Sequence, residues 1–284
     1  MPIAPSFVTK LDRAEKHLID LEAAIEEFSG TSPATRPYTV RTRIEGKKKR
    51  EVHRLYFTRS AENTDIPLIA ADAIYNMRSS LEHLMCSLVA SKDRDSVTFP
   101  VFWRGVWNDF VEGENAQRRK DRQRWQTIVN AVPEEVLARL KRLQPPDDPV
   151  DNQTAHGLRI LNQLSNNDRH TKLPVFADGV EGLMIRWRLP DGSTVNGFAP
   201  ADANHFLENE AEIRGVPKGA MYVESYGPAH VVIRTALRNE NGPVNLPVVP
   251  FIRDNLAFIR EKVVPPLLPY VHPGPKPKRS GKRR

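Results

Sequence analysis

The chain has 284 residues, 39% of them hydrophobic and 27% charged, which excludes disorder throughout and suffices for one large core or two smaller ones. Its single cysteine, Cys86, excludes an intrachain disulfide, and no run approaches the ~18 apolar residues of a membrane span, so a cytoplasmic protein with no membrane partner is expected. The net charge of +7 sits largely in the last eleven residues, where Lys276, Lys278, Arg279, Lys282, Arg283 and Arg284 stand without an acid and account for six of the seven charges.

In chain order, Phe7, Leu11, Ala14, Leu18, Leu21, Ile25 and Phe28 recur every three or four positions, the stripe of an amphipathic helix that Ser29-Gly30 should end. Tyr38 to Glu45 and Arg50 to Thr58 alternate as two strands and join at Gly46-Lys47, a β-hairpin. Asp65 suits an N-cap, with Pro67 in the first turn, so a long helix should run from there to about Ser91. An extended apolar segment, Phe99 to Trp103, precedes shorter helices around Trp107 to Val111, Arg118 to Asn130, Pro133 to Leu143 and Asn152 to Asn167. From Leu173 to Leu237 the apolar period shifts to two, with breaks at Asp191-Gly192 and Tyr226-Gly227-Pro228, as in a small antiparallel sheet. A last helix from about Val249 to Val263 leads to Pro265-Pro266 and the basic tail.

The fold class expected is α+β: mainly a helical bundle, with an N-terminal β-hairpin and a small antiparallel β segment inserted before the last helix. One domain over 1–271 is expected, with a bundle core at 65–172, the β segment at 173–238, the returning helix at 249–263 and a disordered tail at 272–284.

Chemistry concentrates on the long helix, in Asn76-Met77-Arg78-Ser79-Ser80-Leu81-Glu82-His83. At 100° per residue, Asp72, Asn76, Ser79 and His83 fall within roughly 60° of one another, while Arg78 stands roughly 140° from His83 at the edge of the apolar face. On the later helix, His156, Gln163, Asn167 and His170 form a second polar stripe if helical geometry persists that far. Facing stripes of this kind either pair across the bundle or line a solvated site, because buried polar groups need partners.

At these residues the chain resembles HEPN-type domains, helical bundles in which an arginine and a histidine four to six residues apart on one helix carry metal-independent RNase activity. Arg78 and His83 match that motif, with Asn76 just upstream. The string is also similar to a group of bacterial proteins that pair an Asn-x-Arg-Ser-x-x-x-His helix with a downstream Asn-x-Asp-Lys-His element, to which Asn166, Asp168, Arg169 and His170 correspond, arginine replacing lysine. The resemblance spans the helices between Asp65 and Leu173. It implies attack of an RNA 2′-hydroxyl on the adjacent phosphate, with His83 as general base or acid, Arg78 holding the phosphate, Asn76 orienting it and His170 as complementary acid beside Asp168. Histidine suits such work because it titrates at ~6.5. Asn167, Arg169 and the basic run Arg118, Arg119 and Lys120 would hold the RNA. The resemblance also implies a homodimer. Ser79 follows the arginine where active members often carry Asn, Asp or His, and many domains of this type are non-catalytic, which gives the alternative of an RNA-binding, partner-binding or scaffold protein.

Plainer roles compete for the same residues. Arg78 can pair with Glu82 at i, i+4, His83 can bond a neighbouring helix, and Asp168-Arg169-His170 can form a helix C-terminus whose cations suit the dipole. Trp103 and Trp107 fit core positions better than a stacking platform. No cofactor is expected, and no metal, since no tight ligand spacing joins His83, His156, His170, Asp72 and Asp168. The tail suits loose contact with polyanions.

Overall fold

The computed structural model describes residues 5–30, 32, 34–45, 50–89, 94, 97–102, 116–144, 153–168, 175–180, 183–199, 207–208, 210–213, 216–226, 231–239 and 242–272. These form an α+β fold whose described helices, hairpin and inserted β segment follow the order expected; the helix expected around Trp107 to Val111 and the tail from 273 onward lie outside the described residues. Contacts divide the chain into two compact units: 1–16 with 72–170 and 252–284, and 17–71 with 171–251.

The first helix, α1 (Ser6–Ser29), ends at Gly30, whose φ of +68° supplies the left-handed cap and whose N–H bonds the carbonyls of Glu26 and Glu27. A Cβ at Gly30 would lie 2.7 Å from the Thr35 carbonyl, so the turn requires glycine. The long helix α2 (Ile66–Leu88) starts where Asp65 presents its carbonyl to the Ile69 N–H. The bundle unit continues through α3 (Ala116–Ala131), α4 (Glu134–Arg142) and α5 (Gln153–Asp168), and closes with the later part of α6 (Val248–Phe258). Its interior is apolar: Ala73, Ile74, Met77, Leu81, Leu84, Met85 and Leu88 of α2 are buried, as are Ile128, Leu140, Leu161, Leu164 and Ile252. Each buried leucine, isoleucine or methionine here contributes about 1.5–3 kcal/mol by leaving water.

The returning helix departs from a simple α-helix. After α6 the backbone widens into a π turn, Ile259–Val263, followed by a short helix α7 (Val264–Leu267) and a 3-10 turn at Leu268–Tyr270. The cause lies in the sequence: Pro265 and Pro266 carry no N–H for the carbonyls of Glu261 and Lys262, and the Val264 N–H bonds Ile259 instead, five residues back.

In the other unit, β1 (Tyr38–Glu45) and β2 (Arg50–Phe57) form the antiparallel hairpin, Tyr38 opposite Phe57 and Glu45 opposite Arg50. The free edge of β2 is met by residues 210–213, through bonds of Leu55 with Ala211 and Glu210 and of Ile213 with His53. The inserted segment runs beyond 238 to 247 and holds two sheets. One has the order β6 (Leu207–Glu208), β3 (Val175–Val180), β8 (Val231–Asn239), β9 (Gly242–Pro247); the other is β5 (Thr194–Ala199), β4 (Leu183–Arg188), β7 (Met221–Tyr226). Along β4 the alternation is plain: Leu183, Ile185 and Trp187 are buried while Met184 and Arg188 are exposed. Among the described residues no helix is long and apolar enough to cross a membrane.

Candidate functional site: the arginine of the long helix and its partners

Arg78 is buried, with 8% of its surface exposed. Its Nε donates to Asn162 Oδ1 of α5 at 3.0 Å, one Nη donates to the Phe99 carbonyl at 3.2 Å, and the guanidinium forms an ion pair with Glu82 one turn on. Glu82 does a second job: its other carboxylate oxygen accepts the Phe99 backbone N–H at 2.7 Å. Arginine and glutamate thus hold Phe99 by its N–H and its C=O together, and tie the extended segment 97–102 to α2. Gln144, also buried, holds the same segment from the other end, accepting from the Phe102 N–H at 2.9 Å and donating to the Pro100 carbonyl at 3.0 Å. The Phe99 and Phe102 side chains are buried, and the Phe102 ring meets Trp125 of α3 edge-on at 6.1 Å.

His83 belongs to different surroundings. It is half-buried, and its Nδ1 shares a hydrogen bond of 2.9 Å with the Ser6 hydroxyl at the start of α1. Arg78 and His83 therefore bond different groups among the described residues, as their angular separation on the helix predicts. Asn76 is buried and donates to the Asp72 carbonyl at 2.8 Å, a bond within its own helix. Asp72 is exposed and Ser79 half-buried, so the polar stripe is only partly open to solvent.

Of the residues expected downstream, Asn167 and Asp168 complete the last turn of α5, with side chains outside the described residues, where Arg169 and His170 also lie. The His156 side chain, Trp103 and Trp107 are likewise outside them. On α3, Arg119 and Lys120 are exposed, and Arg118 is helical with its side chain outside the described residues. Three groups at this site escape a reading of the sequence: Asn162, Ser6 and Gln144. Asn162 lies 84 positions from Arg78, and no local spacing marks it; the i, i+4 relation of Arg78 to Glu82 is the one part with a local signal.

Chemically, the arrangement is a charge-assisted cross-link. A buried guanidinium with a carboxylate, an amide oxygen and a backbone carbonyl around it is directed at protein acceptors. No family model, no curated protein and no solved structure matches the chain.

Proposed function

We propose that the chain is a HEPN-like helical bundle that acts by binding RNA or a protein partner in the cytoplasm, with Arg78 serving its architecture. The observation that carries this reading is the burial of Arg78 among Glu82, Asn162 and the Phe99 carbonyl. For a phosphate to take this guanidinium it would have to displace Glu82, and Glu82 would lose its counter-ion while still bonded to the Phe99 N–H. The exposed Arg119 and Lys120 of α3 supply the phosphate-tracking charge instead.

The test sets cleavage against stability. Purified protein incubated with structured and single-stranded RNA should leave it intact. Arg78→Ala should lower stability by about 2–3 kcal/mol, since it strands a carboxylate and an amide oxygen. Replacing Arg119 and Lys120 by Gln should weaken RNA retention and flatten its salt dependence by about two charges. Metal-independent cleavage abolished by His83→Ala would overturn the reading in favour of a HEPN-like endoribonuclease working as a homodimer. One observation favours that second reading: the His83 ring is half-buried rather than sealed, and among the described residues it hydrogen-bonds a hydroxyl, that of Ser6.

A further inference from the structure

A second feature of the bundle unit lies at the prolines that follow α6. A cleft of about 600 Å3 opens there, walled on one side by Arg139, Arg142 and Leu143 and on the other by Lys262, Pro266 and Pro269. This volume is ordinary for a small-molecule site. Arg139 and Arg142 of α4 and its C-cap Leu143 are neighbours at i, i+3 and i+4, and Lys262, Pro266 and Pro269 follow at i, i+4 and i+7 along the returning segment. Among the described residues, its charged lining side chains are all cations.

Three properties make this more than a solvated basic surface. Arg139 is held in place: one Nη donates to the Glu135 carbonyl at 2.7 Å, and the guanidinium stacks 4.8 Å from the Tyr270 ring centroid. Arg142 and Lys262 are exposed and have no ion-pair partner among the described residues, so their charges are available to a ligand. Lys262 sits within the π turn, a departure from helical geometry found often at functional sites. The proline rings and Leu143 give an apolar floor beside the charges, and the stacked Arg139 adjoins it.

We propose that this cleft binds a nucleotide. The cations would take its phosphates, Arg142 by forked hydrogen bonds and Lys262 as a mobile point charge, while the flat base lies against the prolines and Leu143. Inorganic phosphate would satisfy the charges and leave most of the volume empty. The same chemistry is offered by a free nucleotide and by the phosphorylated end of an RNA strand.

Titration calorimetry on the full chain, with ADP, inorganic phosphate and a 5′-phosphorylated RNA tetranucleotide as separate probes, tests this. ADP should bind about tenfold or more tightly than inorganic phosphate. The double substitution Arg142→Gln, Lys262→Gln should weaken ADP at least about tenfold, because both charge-assisted contacts to the phosphates are lost. Both side chains are exposed, so its ligand-free melting temperature should equal the parent's. The single substitution Ala138→Trp, at an exposed position on the rim, should also weaken ADP by occlusion, with the charges intact. Binding of ADP alone would assign the cleft to free nucleotides, and binding of both ADP and the tetranucleotide to phosphorylated ends as well. No binding at millimolar ADP, equal affinity for ADP and phosphate, or a double variant that binds as the parent does, would overturn the proposal.

Discussion

His53 shows how a single side chain can make the stability of this protein depend on pH. It is buried on β2, shares a hydrogen bond of 2.9 Å with the Thr42 hydroxyl across the hairpin, and meets the Trp187 ring edge-on at 4.8 Å. Burial holds its pKa below the usual 6.5, with Glu51 opposing the shift. The unfolded chain therefore binds a proton more readily than the folded one between the two values. Stability from this group is complete above pH 6.5 and is lost as the pH falls through that value towards the folded pKa. The melting temperature should thus drop between pH 7.5 and 5.5, and His53→Gln should drop less over the same range. Equal slopes for the two proteins would show that other groups set the acid limit. The contrast with Arg78 is instructive, because its charge is retained on burial by having acceptors on three sides.

Among elements, α5 and α6 of the bundle unit meet tightly at Gly157. A Cβ at Gly157 would lie 2.7 Å from the side-chain oxygen of Asn255, which is itself buried. Gly157→Ala gains helix propensity and should nonetheless destabilise by about 1–2 kcal/mol through overpacking, measurable by chemical denaturation. A gain in stability would mean that Asn255 swings aside. The strands show which patterns a sequence reveals. The hairpin is legible, since Val40, Val52 and Leu55 are buried on strands of alternating pattern with a glycine between them. In contrast, β5 carries Asn196 and Gly197, β6 has two residues, and β9 begins and ends near proline. Proline survives in β9 because that strand lies at the edge of its sheet. In these three the local signal is interrupted or too short to mark a strand alone, and pairing with neighbours completes them.

For the molecule as a whole, charge and connectivity matter most. Six of the seven net charges lie in the last eleven residues, so removing those residues should weaken retention on RNA or heparin and reduce its salt dependence, leaving the melting temperature unchanged. A truncated protein that melts lower would show that the tail packs on the fold. The candidate site was legible to the extent that angles along one helix separate Arg78 from His83. What lies opposite each residue was not, because Asn162, Phe99 and Ser6 reach α2 from distant parts of the chain.

The same remoteness governs how the chain is made. Arg260 forms ion pairs of 2.9 Å with Asp12 and with Glu15 of α1, across 248 positions in the first case. On a ribosome adding roughly 5–20 residues per second, α1 emerges on the order of ten seconds or more before that arginine. During that interval Asp12 and Glu15 stand without this counter-ion, so these two ion pairs can form only late in synthesis.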